Sequence, residues 1–230
     1  MPDRNEQPIQ IPIGSMLSLS GDLNIPDGAQ GVVLFAHGSG SGRHSPRNRY
    51  VAKVLQEASL GTLLFDLLTE DEELIDDQTR HLRFDIGLLA DRLVMATDWL
   101  LPRFDVSNSN DIPGIAYFGA STGAAAALVA AAKRADVVKA VVSRGGRPDL
   151  AGEYLGQVRA PTLLLVGGND EPVTVLNQEA YDKLRLLKND EKKLTLIPGA
   201  THLFEEPGKL EQVAKLAGGW FSFFLKHHTR

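Results

Sequence analysis

The pentapeptide 119–123, with the sequence GASTG, constrains the fold more than any other stretch of this chain. Its G-x-S-x-G pattern is typical of a sharp turn from a strand into a helix, with a serine at the apex. The apolar run 115–118 before it favours a buried strand, and the alanine-rich run 124–132 after it favours a helix. Because Gly119 and Gly123 keep both sides of the turn small, the pattern predicts an elbow that lifts the Ser121 hydroxyl above a sheet.

Apolar runs and helical patterns alternate along the rest of the chain, which predicts the α/β class. We expect one domain over residues 1–230, with a mostly parallel, doubly wound sheet, flanking helices and an antiparallel edge hairpin within residues 9–25. The predicted strands cover 31–36, 61–66, 115–118, 137–143, 161–168 and 194–197. The predicted helices cover 48–59, 84–101, 124–132, 175–187 and 207–226.

The segment 70–77 carries six acidic residues. Charged runs of this kind are usually solvated, so the sequence favours a solvated loop or a short helix here. Part of a small lid is the alternative.

Charge and composition exclude several functions. The 230-residue chain has a net charge of -5 and no cysteine. Nucleic acid is therefore not an expected partner, and disulfides, thiolate metal sites and a cysteine nucleophile are excluded. Since no apolar segment has the length of a signal peptide or a membrane span, we expect no membrane association and a cytoplasmic location.

A serine hydroxyl needs a histidine base, and the base needs an orienting acid. In the order expected for a G-x-S-x-G elbow, both follow the serine and lie at the ends of strands. His202 follows the last predicted strand and is our candidate base, whereas His227 and His228 lie at the C-terminus. Asp170 directly follows the penultimate strand and is our candidate acid. Glu171 and Asp149 remain as alternatives.

An oxyanion hole requires two amides that converge on the developing charge. One should belong to Thr122, the residue after the nucleophile. The second should come from the loop after the first buried strand, where we choose Ser39 and keep Gly38 and Gly40 as alternatives. A phosphate-binding loop is the rival interpretation of this glycine-rich segment, but the lysine of a P-loop is absent.

With these residues in place, the chain resembles the α/β-hydrolase superfamily over nearly its whole length, and within it the dienelactone-hydrolase-like group. The matching segments are 37–43 with 45–48, 83–85, 119–123, 143–149, 168–170 and 200–204. The resemblance implies no cofactor, no metal, no large cap domain and a rather open site. One departure matters, because the dienelactone hydrolases proper carry cysteine where Ser121 stands.

The sequence therefore predicts a serine hydrolase of carboxylic esters or lactones, with Ser121 as nucleophile, His202 as base and Asp170 as the orienting acid. Its expected partner is a small ester or lactone substrate. A catalytically idle binding protein of the same fold is the alternative from another class. Thioesterase, peptidase and acyltransferase activities are alternatives within the same chemistry.

Overall fold

The computed structural model describes residues 6–104 and 114–226. Residues 105–113, whose sequence is rich in turn-forming residues and predicts a loop, lie outside the described part of the chain, as do His227 and His228. Eight strands form one sheet: β1 (Glu6–Ile13), β2 (Leu17–Asn24), β3 (Gly31–Ala36), β4 (Gly61–Phe65), β5 (Gly114–Ala120), β6 (Val138–Arg144), β7 (Thr162–Gly167) and β8 (Lys192–Ile197). Their order across the sheet is β1-β2-β4-β3-β5-β6-β7-β8. Strands β3 to β8 run parallel, and only β1 and β2 are antiparallel to their neighbours.

Helices cover both faces of the sheet, so the α/β prediction with a mostly parallel sheet is confirmed. They are α1 (Pro46–Glu57), α2 (Glu70–Thr79), α3 (Ile86–Leu100), α4 (Thr122–Lys133), α5 (Glu171–Lys183) and α6 (Lys209–Lys226). Helices α1 and α6 bury their apolar sides on one face, and α3, α4 and α5 on the other. Short 3-10 segments cover Leu82–Phe84, Leu101–Arg103 and Pro148–Gln157. No large cap domain stands over the sheet in the described part of the chain, nor is any described helix long and apolar enough to cross a membrane.

The predicted N-terminal hairpin is present, and β2 continues through residues 20–22, although their small and polar side chains interrupt the alternation of apolar residues. The strand continues because β1 pairs with it on one side and β4 on the other. A Cβ added at Gly21 would lie 2.9 Å from Ile9 Cδ1 and 3.0 Å from Phe65 Cβ. The glycine therefore permits close packing here and does not end the strand.

The acidic segment forms the largely exposed helix α2, so the favoured interpretation is confirmed in its form of a short solvated helix and not of a loop. Thr69 and Glu72 form a capping box at its N-terminus. Asp76 is only 2% exposed and accepts hydrogen bonds from the main-chain N–H of Arg83, at 3.0 Å, and from its guanidinium. Burial opposes ionisation of Asp76, but the hydrogen bonds from Arg83 outweigh it and lower the pKa of Asp76.

Candidate active site

The elbow places Ser121 between β5 and α4 in a conformation that non-glycine residues rarely adopt, with φ 51° and ψ -120°. The flanking glycines are required by contact distances. A Cβ at Gly119 would lie 2.4 Å from the Cα of Ala124, and one at Gly123 would lie 2.2 Å from the carbonyl oxygen of Ala36. Both neighbours are main-chain atoms, so neither can move aside by changing a rotamer.

The end of β6 and the loop that follows it hold the elbow from both sides. The Ser121 N–H donates to the carbonyl of Arg144, the last residue of β6, at 3.2 Å, and the N–H of Arg147 in the loop donates to the carbonyl of Ser121 at 3.0 Å. These two hydrogen bonds fix the peptide groups on either side of the strained residue.

The structure brings the predicted nucleophile, base and acid together at the carboxyl edge of the sheet. His202 Nδ1 lies 2.7 Å from Asp170 Oδ2, and His202 Nε2 lies 3.4 Å from Ser121 Oγ. Since a carboxylate can only accept, Nδ1 carries the hydrogen in this pair and Nε2 is left to accept the serine proton. The side chain of Asp170 is 14% exposed and that of His202 is 38% exposed, so the imidazole faces the solvent side of the site.

Hydrogen bonds between two loops set the distance from Asp170 to His202. Asp170 occupies the N-cap position of α5 just after β7, and its side chain makes no hydrogen bond to that helix; His202 lies in the loop between β8 and α6. The N–H of Asn169 donates to the carbonyl of Ala200 at 2.9 Å. A Cβ at Gly167 would lie 2.5 Å from the carbonyl oxygens of both Ala200 and Thr201. The close approach of the two loops therefore depends on glycine at this position.

The structure places the two alternative acids elsewhere. Glu171 is exposed in the first turn of α5. Asp149 accepts two hydrogen bonds from the Arg147 guanidinium, at 2.9 and 2.8 Å. The carboxylate that the structure gives to His202 is that of Asp170.

The glycine-rich loop 37–42 lies against the elbow, as expected for a loop that completes an oxyanion hole. A Cβ at Gly38 would lie 3.1 Å from Ser121 Cβ. Thr122 opens α4, so its N–H has no carbonyl one turn earlier to donate to. The Ser39 N–H donates to Thr122 Oγ1 at 3.0 Å. The Ser39 N–H, one of the two candidate oxyanion donors, is therefore bonded to the side chain of Thr122, whose own N–H is the other candidate.

His37 supports this loop, a role that the sequence analysis missed. Its ring is 8% exposed, its Nδ1 lies 3.1 Å from the carbonyl of Gly38, and its Nε2 accepts the N–H of Leu67 at 3.0 Å. Burial lowers the pKa of His37. The neutral ring, protonated at Nδ1, thus joins the loop after β3 to the chain after β4. In the sequence, only the position of His37 directly after the predicted strand 31–36 could have indicated this role.

A cavity of about 400 Å³ opens beside the glycine-rich loop. It extends from the loop 37–44 to α2, Arg83 and Leu89, so the acidic segment forms one of its walls. Asp66, which follows β4, also lines the cavity; it accepts a hydrogen bond from the main-chain N–H of Arg43 at 2.7 Å and pairs with the Arg43 guanidinium. Among residues 6–104 and 114–226, no group of three or more histidine or acidic side chains is arranged to hold a metal ion.

The chain is similar to proteins of a known family. A model of the dienelactone hydrolase family matches residues 63–224. The crystal structure of a dienelactone hydrolase from Anabaena variabilis is 57% identical, with a TM-score of 0.86, and the match covers 96% of this chain and 99% of that one. Est1E from Butyrivibrio proteoclasticus shares the fold at 16% identity, with a TM-score of 0.75 and coverage of 95% of this chain and 98% of that one.

Two curated relatives from Mycobacterium tuberculosis strains bear the name "putative phosphoribosyl transferase". Each is 54% identical over 220 residues, which cover 96% of this chain but 47% of the relative. The chain thus spans about half the length of the curated relatives it matches. Taken with the family match and the arrangement of the sheet, these likenesses show that the chain has the α/β-hydrolase fold and belongs to the dienelactone hydrolase family.

Proposed function

We propose that this member of the family is a serine hydrolase of carboxylic esters or lactones. The observation that carries the proposal is the row of polar atoms from Ser121 Oγ through the His202 ring to Asp170, with separations of 3.4 and 2.7 Å. A serine with this arrangement becomes a competent nucleophile at neutral pH, because the imidazole takes its proton as it attacks. Family membership supports hydrolase chemistry in general, and the serine in place of cysteine favours ordinary ester chemistry.

In the proposed reaction, Ser121 Oγ attacks the substrate carbonyl while its proton moves to His202 Nε2. Asp170 holds the Nδ1–H and stabilises the imidazolium that forms. The proton then passes to the departing alcohol, and water repeats the sequence on the acyl-enzyme. The 3.4 Å separation between serine and histidine is long, as is common before substrate binds and tightens the pair.

The amides of Thr122 and Ser39 are the proposed donors to the tetrahedral oxyanion. Ser39 now donates to the Thr122 hydroxyl, and that hydroxyl keeps its own hydrogen. Two outcomes follow from this bond. In the first, the Ser39 N–H leaves Thr122 Oγ1 when the oxyanion forms and donates to the oxyanion. In the second, the Ser39 N–H keeps its bond to Thr122 Oγ1, and the Thr122 hydroxyl donates to the oxyanion. Thioesterase, peptidase and acyltransferase activities would use the same residues, and substrate preference separates them.

The activity named for the Mycobacterium tuberculosis relatives belongs to proteins about twice as long as this chain. The roles proposed for Ser121, His202 and Asp170 are those of an acyl-transfer reaction, so our proposal does not extend to phosphoribosyl transfer.

Labelling with a fluorophosphonate probe tests the nucleophile directly. We expect the wild type and Ser39→Ala to be labelled, because the control removes an exposed hydroxyl and keeps the proposed oxyanion amide. Ser121→Ala should remain folded and unlabelled, and its turnover of p-nitrophenyl esters should fall by several orders of magnitude. An unlabelled and inactive wild type would favour the idle binding protein, and a labelled Ser121→Ala would exclude Ser121 as nucleophile.

A further inference from the structure

Arg144 is a buried cation that pairs with no carboxylate among the described residues. It is 6% exposed, and its Nε is buried without a hydrogen-bond partner. Its only described side-chain hydrogen bond runs from Nη2 to Asn48 Oδ1, at 3.5 Å. By contrast, the comparably buried Arg92 pairs with Glu72 at 2.6 Å. An uncompensated buried charge is costly, which makes Arg144 the exception that needs an explanation.

The main chain of Arg144 contacts the proposed nucleophile, and its guanidinium lies near the loop that carries the proposed base. Arg144 ends β6 on the face that carries Ala140 and Val142, which is the face covered by α1 and α6. Its Cζ lies 6.0 Å from the ring of Phe204, two residues after His202. Its carbonyl accepts the N–H of Ser121. The charged group therefore lies between the N-terminus of α1 and the loop that carries the histidine.

A second guanidinium reinforces the positive charge at this place. Arg47, in the first turn of α1, donates to Glu205 Oε1 at 2.8 Å, and its own Nε is also buried without a partner. Burial, and next the charge of Arg47, lower the pKa of Arg144 to about 10. The first turn of α1 contains no acidic residue that would offset the positive end of the helix; Pro46 has no N–H and the Asn48 N–H donates to Ser45 Oγ, so the helix contributes mainly its dipole here.

Two guanidinium groups and a helix N-terminus are the elements with which proteins bind phosphate. Glu205 is the only carboxylate that pairs with either arginine in the described structure, and its side chain is 64% exposed. An exposed carboxylate at the rim can be displaced at low cost. With Glu205 displaced, two positive charges remain, and these match a dianion better than a monoanion.

We propose that Arg144, Arg47 and the first turn of α1 form a subsite for a phosphate group, so that the natural ester or lactone is a phosphorylated compound. The substrate class rests on the hydrolase function proposed above, whereas the phosphate subsite can be tested without it.

Inorganic phosphate is the probe, titrated into Ser121→Ala by calorimetry against sodium chloride of equal ionic strength. We expect saturable binding to phosphate and none to chloride. Arg144→Met should weaken phosphate binding by about 10-fold or more, and Arg144→Lys by less, because a lost charge-assisted hydrogen bond costs about 1.5–3 kcal/mol. Glu205→Gln should tighten it several-fold, because the competing carboxylate is gone.

Arg49→Gln is the matched control, since Arg49 lies on α1 but pairs with Glu6 and Asp22. It should leave phosphate affinity unchanged. Arg47→Gln, at a partly exposed position, provides the test if Arg144→Met does not fold. Phosphate that binds no better than chloride would overturn the proposal, as would equal affinities in Glu205→Gln and its parent. If phosphate binds but no ester is hydrolysed, the hydrolase function fails and the subsite stands.

Discussion

Replacing Gly123 by alanine tests whether the elbow is limited by main-chain contact. The added methyl group would lie 2.2 Å from the carbonyl oxygen of Ala36 and 2.4 Å from that of His37. Ordinary contacts of this kind exceed 3.4 Å, so the N-terminus of α4 or the end of β3 must move by about 1 Å. Overpacking of this severity costs about 2–3 kcal/mol, which in a domain of this size lowers Tm by about 4–12 °C.

Gly219→Ala is the matched control, because Gly219 is an exposed residue in α6 with nothing within 4 Å of an added Cβ. The same substitution should there stabilise the protein by about 0.5–1 kcal/mol and raise Tm by about 1–4 °C. Thermal unfolding of both variants, followed by circular dichroism, measures the difference. Gly123→Ala should also react more slowly with the fluorophosphonate probe, because the displaced atoms of Ala36 and His37 begin the loop that carries the Ser39 amide, a proposed oxyanion donor. Equal Tm values for the two variants would refute the argument from contact distances.

Three further predictions concern the site. Asp170→Asn should lower turnover by about 10⁴-fold through the wrong histidine tautomer, and Glu171→Gln, at an exposed position, should leave it nearly unchanged; the reverse order would make Glu171 the acid. If the Thr122 hydroxyl donates to the oxyanion, Thr122→Val should lower kcat/KM for a p-nitrophenyl ester by about 10-fold or more, whereas Thr122→Ser should retain activity; an unaffected valine variant would show that the Ser39 N–H, freed from Thr122, is the donor instead. Because burial lowers the pKa of His37 from 6.5, the unfolded state binds more protons at acid pH, and the free energy of unfolding should fall as pH drops below that value. His37→Gln should flatten this dependence in urea titrations while His44→Gln, at an exposed position, does not; identical slopes would show that His37 does not control it.

The elbow and the proximity of Ser121, Asp170 and His202 could be predicted, because each follows from a local rule. The glycines around Ser121 are required by a turn of five residues, and parallel strands must end at one edge of the sheet. Asp170 and His202 each follow a strand, so the topology alone brings them together.

Contacts between distant segments could not be predicted in this way. The bond from Ser39 to Thr122 joins residues 83 positions apart, and nothing in either segment specifies it. Asp76 belongs to an acidic run, and its burial depends on Arg83 folding back over the helix. Arg144 directly follows the predicted strand 137–143, and a charged residue at the end of a strand is usually exposed to solvent. In the structure its guanidinium is instead enclosed by α1 and Phe204.

The positive φ of Ser121 has an evolutionary consequence. A serine held at this angle costs about 1–3 kcal/mol, and glycine would occupy the same angle almost without strain. Ser121→Gly should therefore be more stable than the wild type and inactive as a hydrolase. A lineage that no longer needed the hydroxyl would gain stability by losing it, so selection for stability would favour glycine at this position. The serine is thus a stability cost that selection for chemistry would maintain and selection for folding would remove.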